Sequence, residues 1–225
     1  MTLIAHAIAA APPASLPHRG LRGRPLSWSE TGGLGLWSTE WDPDVKLERP
    51  DALEHHQLVE RICAAQTCLP VRFGTAFETS DAALESLDKR AAALRAALAR
   101  VAGKSEVALT LLWRDAPAPA ALQSAVGPGR RYMEQRRAEY GAREGRRLRA
   151  EAMVEELIVE LAIERPLVWY ETGTSASVAV SLAVLVPTEQ ALERKAQLER
   201  IAARFSDVAP VVNGPWPPYT FARIE

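Results

Sequence analysis

Residues 167–186 read LVWYETGTSASVAVSLAVLV. Leu167 to Glu171 and Ser177 to Val186 are rich in β-branched and aromatic residues, and Gly173 stands between them, so the segment predicts a β-hairpin. Upstream of it, a long charged helical pattern runs from Arg130 to Glu164, where Pro166 forbids continuation. Before that helix, Glu106 to Trp113 reads as a strand, broken off by the Pro/Ala-rich stretch Ala116 to Ala121. Downstream of the hairpin, Thr188 can cap a helix reaching Phe205, and Ala209 to Val212 is a last strand. The resulting order, β-α-β-β-α-β, is the split βαβ arrangement of ferredoxin-like domains.

The N-terminal half supplies elements of its own. Thr2 to Ala10 is an apolar first strand stopped by Pro12, Pro13 and Pro17. Gly32-Gly33-Leu34-Gly35 reads as a turn into a strand through Trp37; it lacks the following helix and the Lys of a phosphate loop. Asp51 can cap a helix in which Leu58, Val59, Ile62 and Cys63 recur at helical spacing as far as Ala65. Leu69 to Phe73 is a short strand ended by Gly74. Ser80 opens a helix whose Leu84, Leu87, Ala91, Leu94 and Leu98 form one apolar face out to Val101, with Gly103 ending it. The expected fold class is α+β, in two domains: 1–103, and a ferredoxin-like domain 104–225 carrying a Pro/aromatic tail.

Composition narrows the function classes. The chain has 225 residues, 48% hydrophobic and 24% charged, with a formal net charge of −1. That balance builds a core, and it carries no overall field to attract nucleic acid or a membrane surface. The start, Met1 to His6, lacks a basic leader, and the longest apolar run, Ala176 to Val186, is about half a bilayer span. Two cysteines are too few for a disulfide scaffold. The expectation is a reduced, cytosolic, soluble protein with Cys63 and Cys68 as free thiols, no metal and no cofactor. His55, His56, Cys63 and Cys68 lie close in sequence, but lack the tight ligand pairs of zinc sites. Nucleophile elbow, phosphate loop and dinucleotide fingerprint are all missing, so no catalytic residue is predicted.

Arginine is the conspicuous charge. From Arg130 to Glu151 there are eight Arg against four Glu, whereas Glu155, Glu156, Glu160 and Glu164 make the rest of that helix acidic. This order opposes the helix dipole. Two readings stay open: a solvated face with Arg–Glu pairs, or a basic half that docks an acidic partner protein through Arg136, Arg137, Arg143 and Arg147. An RNA-binding module is a weaker reading, because the aromatic signature of RNA-recognition strands is absent. A ferredoxin-like small-molecule-binding protein is another alternative, without a cluster of polar residues to support it.

Two segments are more particular: 69-LPVRFGTAF-77 and 213-NGPWPPYTF-221. With His56 on a helix and Gly129…Tyr132 opening the basic helix, they resemble the gas vesicle protein F/L family, whose forms are close to LPVRFGTxF and GPWPPYSF. The one departure is Thr220 in place of Ser, which keeps the hydroxyl. The resemblance implies two α+β domains, the second a modified ferredoxin-like fold. It implies a cytoplasmic, non-enzymatic accessory protein of gas vesicle assembly, associated with the vesicle. Its implied partners are the hydrophobic shell protein and other gas vesicle accessory proteins, not nucleic acid or a membrane. Alternation places Leu69, Val71 and Phe73 on one face and Pro70 and Arg72 on the other. Arg72 then pairs with a Glu such as Glu106 or meets a partner. Trp216, Tyr219 and Phe221 either clip back as a satellite core or offer an aromatic ledge to the shell subunit. Arg72, Phe73, Trp216, Tyr219 and Phe221 join the four arginines as candidate partner-binding residues.

Overall fold

The computed structural model describes residues 1–12, 18–114, 128–173 and 175–223. The Pro13–Pro17 stop and the Ala116–Ala121 break lie outside them, as does the side chain of Tyr132. The chain forms two compact units: Met1–Glu106 with Trp216–Glu225, and Val107–Pro215. The expected division assigned the tail to the second domain; its last ten residues belong instead with the first unit, for reasons given by their hydrogen bonds below.

In the first unit, β1 (Thr2–Ala9), β2 (Leu26–Thr31), β3 (Leu34–Trp41), β4 (Leu69–Pro70) and β5 (Ala76–Phe77) form one sheet. The order is β2-β3-β1-β4, with β5 also on β1. β2 and β3 make a two-residue hairpin because Gly32 and Gly33 both take positive φ, 54° and 73°, the pairing that matches strand twist. Trp28 sits opposite Trp37 across it, with ring centroids 5.0 Å apart. The Trp28 ring lies over Gly35, where any Cβ would collide with it. β1 is central, so Ile4 to Ala9 is buried throughout.

Three helices cover this sheet: α1 (Arg49–Ala65), α2 (Ser80–Lys89) and α3 (Ala91–Val101). Leu58 and Ile62 of α1 pack on Ala7, Ala9 and Trp37, each buried aliphatic side chain being worth about 1.5–3 kcal/mol. Asp51 is not the N-cap of α1; Glu48 holds that position, and Asp51 accepts the Glu48 N–H at 2.7 Å from inside the first turn. The helix expected over 80–101 is broken at Arg90, whose side chain reaches back to Ser86 O and Oγ at 3.1 and 2.7 Å. Ser80 opens α2 as expected, with Thr79 before it capping the helix through the Ala82 N–H.

The strand expected over Leu69–Phe73 stops at Pro70, and a second short strand, Ala76–Phe77, follows it. Leu69 and Pro70 pair with Ile8 and Ala7, then Ala76 and Phe77 pair with Ile4 and Leu3. Between them the Thr75 N–H closes a turn onto Arg72 O, with Gly74 at φ 84°. The free alternation of side chains therefore stops at Pro70. Cys63 and Cys68, expected as free thiols, are joined in a disulfide with Cα atoms 5.5 Å apart. α1 ends at Ala65, and the chain turns straight back into β4. A spacing poorly suited to bridging along a helix becomes bridging distance across its end.

The second unit holds the expected order: β6 (Lys104–Trp113, from Val107 on), α4 (Pro128–Leu161), β7 (Val168–Thr172), β8 (Val178–Pro187), α5 (Ala191–Ala202) and β9 (Val208–Trp216). The sheet runs β7-β8-β6-β9, with β7 and β8 antiparallel around Gly173. Val107, Leu109 and Leu111 alternate into a core with Met153, Val154 and Leu157 of α4 and Leu198 and Ile201 of α5. α4 ends at Leu161, before Pro166, where Ala162 turns to φ 49°. Thr188 opens a single 3-10 turn ahead of α5 instead of capping it.

Candidate functional site

The two distinctive motifs meet in the first unit, on consecutive histidines of α1. Adjacent helical residues point about 100° apart, so His55 turns into the core and His56 outward. His55 is 1% exposed and takes the edge of Phe73, ring centroids 5.5 Å apart. His56 meets Trp216 edge-on at 5.9 Å and stacks on Tyr219 at 6.2 Å. Its Nε2 lies 3.3 Å from Glu60 Oε1 one turn on.

The tail is fastened by more than rings. Glu106, buried at the start of β6, receives the Thr220 N–H and the Thr220 hydroxyl, both at 2.8 Å. Arg100 of α3 donates to Phe221 O at 2.6 Å. Phe221 is buried, as are Pro217 and Pro218, while Trp216 and Tyr219 are half-buried and keep an outer surface. Glu106 is therefore the partner of Thr220 and not of Arg72, which is exposed in the turn between β4 and β5. Burial pushes the Glu106 carboxyl above its ordinary value, against the pull of the Thr220 bonds. Burial, and the Glu60 charge after it, pushes the Tyr219 phenol up.

Beneath His55 lies a second ring. His6 of β1 is fully buried, 5.1 Å from His55 between centroids, with its Nε2 2.8 Å from Thr39 Oγ1. Burial, then the neighbouring His55, lowers its pKa to about 3. Burial likewise lowers His55, whose Nε2 reaches Ala5 O at 3.3 Å. Both rings are neutral at physiological pH and belong to the packing. The sequence suggests Glu106 only as a partner for Arg72, not for the tail, and gives His6 no role; the hydroxyl kept at Thr220 is the one local sign that a buried acceptor waits for it. Among the described residues no group of three or more His, Cys, Asp or Glu could hold a metal ion.

The four candidate arginines lie on α4 of the other unit, all exposed. Arg147 bridges Glu144 and Glu151, each at 2.6 Å. Nearby, Arg149 pairs with Asp207 at 2.9 Å, and the Arg146 guanidinium lies over the Trp113 ring, 5.1 Å from its centroid. Among the described residues no helix is long and apolar enough to cross a membrane.

Fold and site together define a two-unit α+β protein whose C-terminal aromatic motif is bound on its own first helix. The family model for gas vesicle synthesis protein GvpL/GvpF matches residues 3–223, and the chain belongs to that family. Membership ties it to gas vesicles. Gas vesicle protein L1 of Halobacterium salinarum is 26% identical over 93% of this chain and 85% of its own length. Gas vesicle protein L2 of the same organism is 32% identical over 80% and 73%. The crystal structure of GvpF from Microcystis aeruginosa superposes with a TM-score of 0.77 at 20% identity, covering 99% of both chains. That of GvpF from Anabaena sp. PCC7120 gives 0.74 at 22% identity, covering 100% of this chain and 97% of that one. These likenesses share the α+β fold.

Proposed function

We propose that this chain is a non-enzymatic accessory protein of gas vesicle assembly that binds the hydrophobic shell protein and other gas vesicle proteins in the cytoplasm and at the growing vesicle. The observation that carries the reading is the family match over residues 3–223, whose two signature motifs gather at His55 and His56. A shell subunit apolar enough to line a gas space aggregates when its strand edges and apolar face are uncovered. Half-buried Trp216 and Tyr219, ordered by the prolines and hydrogen bonds around them, offer aromatic surface at low entropic cost.

The test is co-expression with a gas vesicle shell protein, followed by pull-down. Wild-type protein is expected to recover the shell protein, and Trp216→Ala with Tyr219→Ala to recover clearly less while remaining soluble. Recovery of neither the shell protein nor any other gas vesicle protein overturns the reading.

A further inference from the structure

α4 changes character along its length. From Ala150 onward it packs, with Ala150, Met153, Val154, Leu157, Ile158 and Leu161 buried. From Met133 to Arg149, every described side chain except Arg146 is exposed. Most helices of proteins are held by an apolar face against a core, and the described side chains of this stretch form none.

It does carry an outward stripe. Met133 is 56% exposed, Tyr140 63% and Leu148 53%. At about 100° per residue, the spacing of seven residues brings Met133 and Tyr140 within about 20° of one line, while Leu148 lies about 80° to one side of Tyr140. Arg136, Arg137, Arg143 and Arg147 fall within about a third of the circumference around Tyr140, at about 100° per residue. Apolar side chains framed by arginines on a solvated helix form a surface complementary to an acidic, amphipathic one.

We propose that this face of α4 docks an acidic amphipathic helix of a partner protein, with its apolar stripe on Met133 and Tyr140 and its carboxylates on Arg137 and Arg143. A second copy of this chain is a poor occupant, because the acidic end of α4 is already engaged: Glu155 by Arg165 at 2.6 Å, Glu156 by Arg204 at 2.8 Å, and Glu160 also by Arg204. RNA is a poor one too, since a phosphate backbone would leave the exposed Met133 side chain uncovered. The proposal goes beyond the assembly role and fails independently of it, because its residues are not those of the shell-protein test.

The experiment titrates the full-length protein into a fluorescent synthetic helix of about 21 residues, long enough to follow the exposed stretch, with Leu at a and d and Glu at e and g. Wild type is expected to bind, more weakly as salt rises past about 0.15 M. Arg137→Glu with Arg143→Glu should weaken binding about tenfold, and Tyr140→Ser several-fold, with melting temperatures unchanged. A probe with Ser in place of Leu should also bind about tenfold more weakly. Absence of wild-type binding, equal binding by the variants, or tighter binding of oligouridylate or phosphatidylserine vesicles overturns the proposal. So does self-association in sedimentation that the Arg137→Glu and Arg143→Glu changes abolish.

Discussion

His6 sits mid-strand in β1 with no exposed surface, its Nε2 on Thr39 and its ring against His55. Its pKa falls from 6.5 to about 3 because a charge there loses its hydration and meets a second imidazole. A folded-state pKa below the unfolded one means that the unfolded chain takes up the proton first. The His6 contribution is intact above about pH 6.5 and is lost as pH falls toward 3. Protonation of this one group should cost about 2 kcal/mol between pH 8 and pH 5. Glu106, raised by burial, acts in the opposite sense, losing stability as pH rises above the ordinary carboxylate value. Comparing urea midpoints of wild type and His6→Asn separates the two: the stability gap between the proteins should change by about 2 kcal/mol over that range, whatever its starting size. A gap constant with pH would show that His6 titrates normally in the fold.

Elements differ in how much of them the sequence could show. β6 and the packed end of α4 bury simple periodic faces, Val107-Leu109-Leu111 and Met153-Val154-Leu157, and β8 was legible as a continuous apolar run buried on both sides. The break at Arg90 was not, since it comes from a side chain folding back on Ser86 within an unbroken apolar stripe. Nor were the early end of the strand at Pro70 and the second short strand at 76–77, which depend on where β1 accepts a partner. The acidic second half of α4, at the end the helix dipole disfavours for acids, finds its partners off the helix in Arg165 and Arg204. Where α4 ends, Ala162 adopts φ 49°, a conformation that costs an L-residue about 1–2 kcal/mol and glycine almost nothing. Part of that gain is returned through the freer unfolded chain. Ala162→Gly should therefore stabilise the protein by about 0.5–1 kcal/mol, read as a rise of about 2–3 °C in melting temperature. A lower melting temperature would mean that the turn is held by something Ala162 itself contributes.

At the scale of the whole molecule, the chain leaves the first unit at Glu106 and returns to it at Trp216. The sequence marked both signature motifs, yet nothing local tells that residues so far apart share α1, because contact between them is a property of the fold. Stability of the first unit should then depend on the last residues of the chain. Removing 216–225 would take from the Glu106 carboxyl both of its Thr220 hydrogen bonds, a bond of this kind contributing about 0.5–1.5 kcal/mol. It would also remove Phe221, a buried aromatic whose truncation costs about 3–5 kcal/mol. Hydrogen exchange is the suitable measurement, since it reports each element separately. The deletion should speed exchange in α1 and α3 by orders of magnitude while α5 and β8 keep their protection. If the deleted chain is too unstable to purify, Thr220→Val serves: it removes only the hydroxyl that Glu106 accepts, and should loosen the same two helices by about 1–3 kcal/mol, whereas Thr220→Ser leaves them unchanged. Faster exchange in α5 and β8 to the same degree would place the tail's effect on the whole chain instead, and unchanged exchange in α1 would free the aromatic motif from the role of a clip altogether.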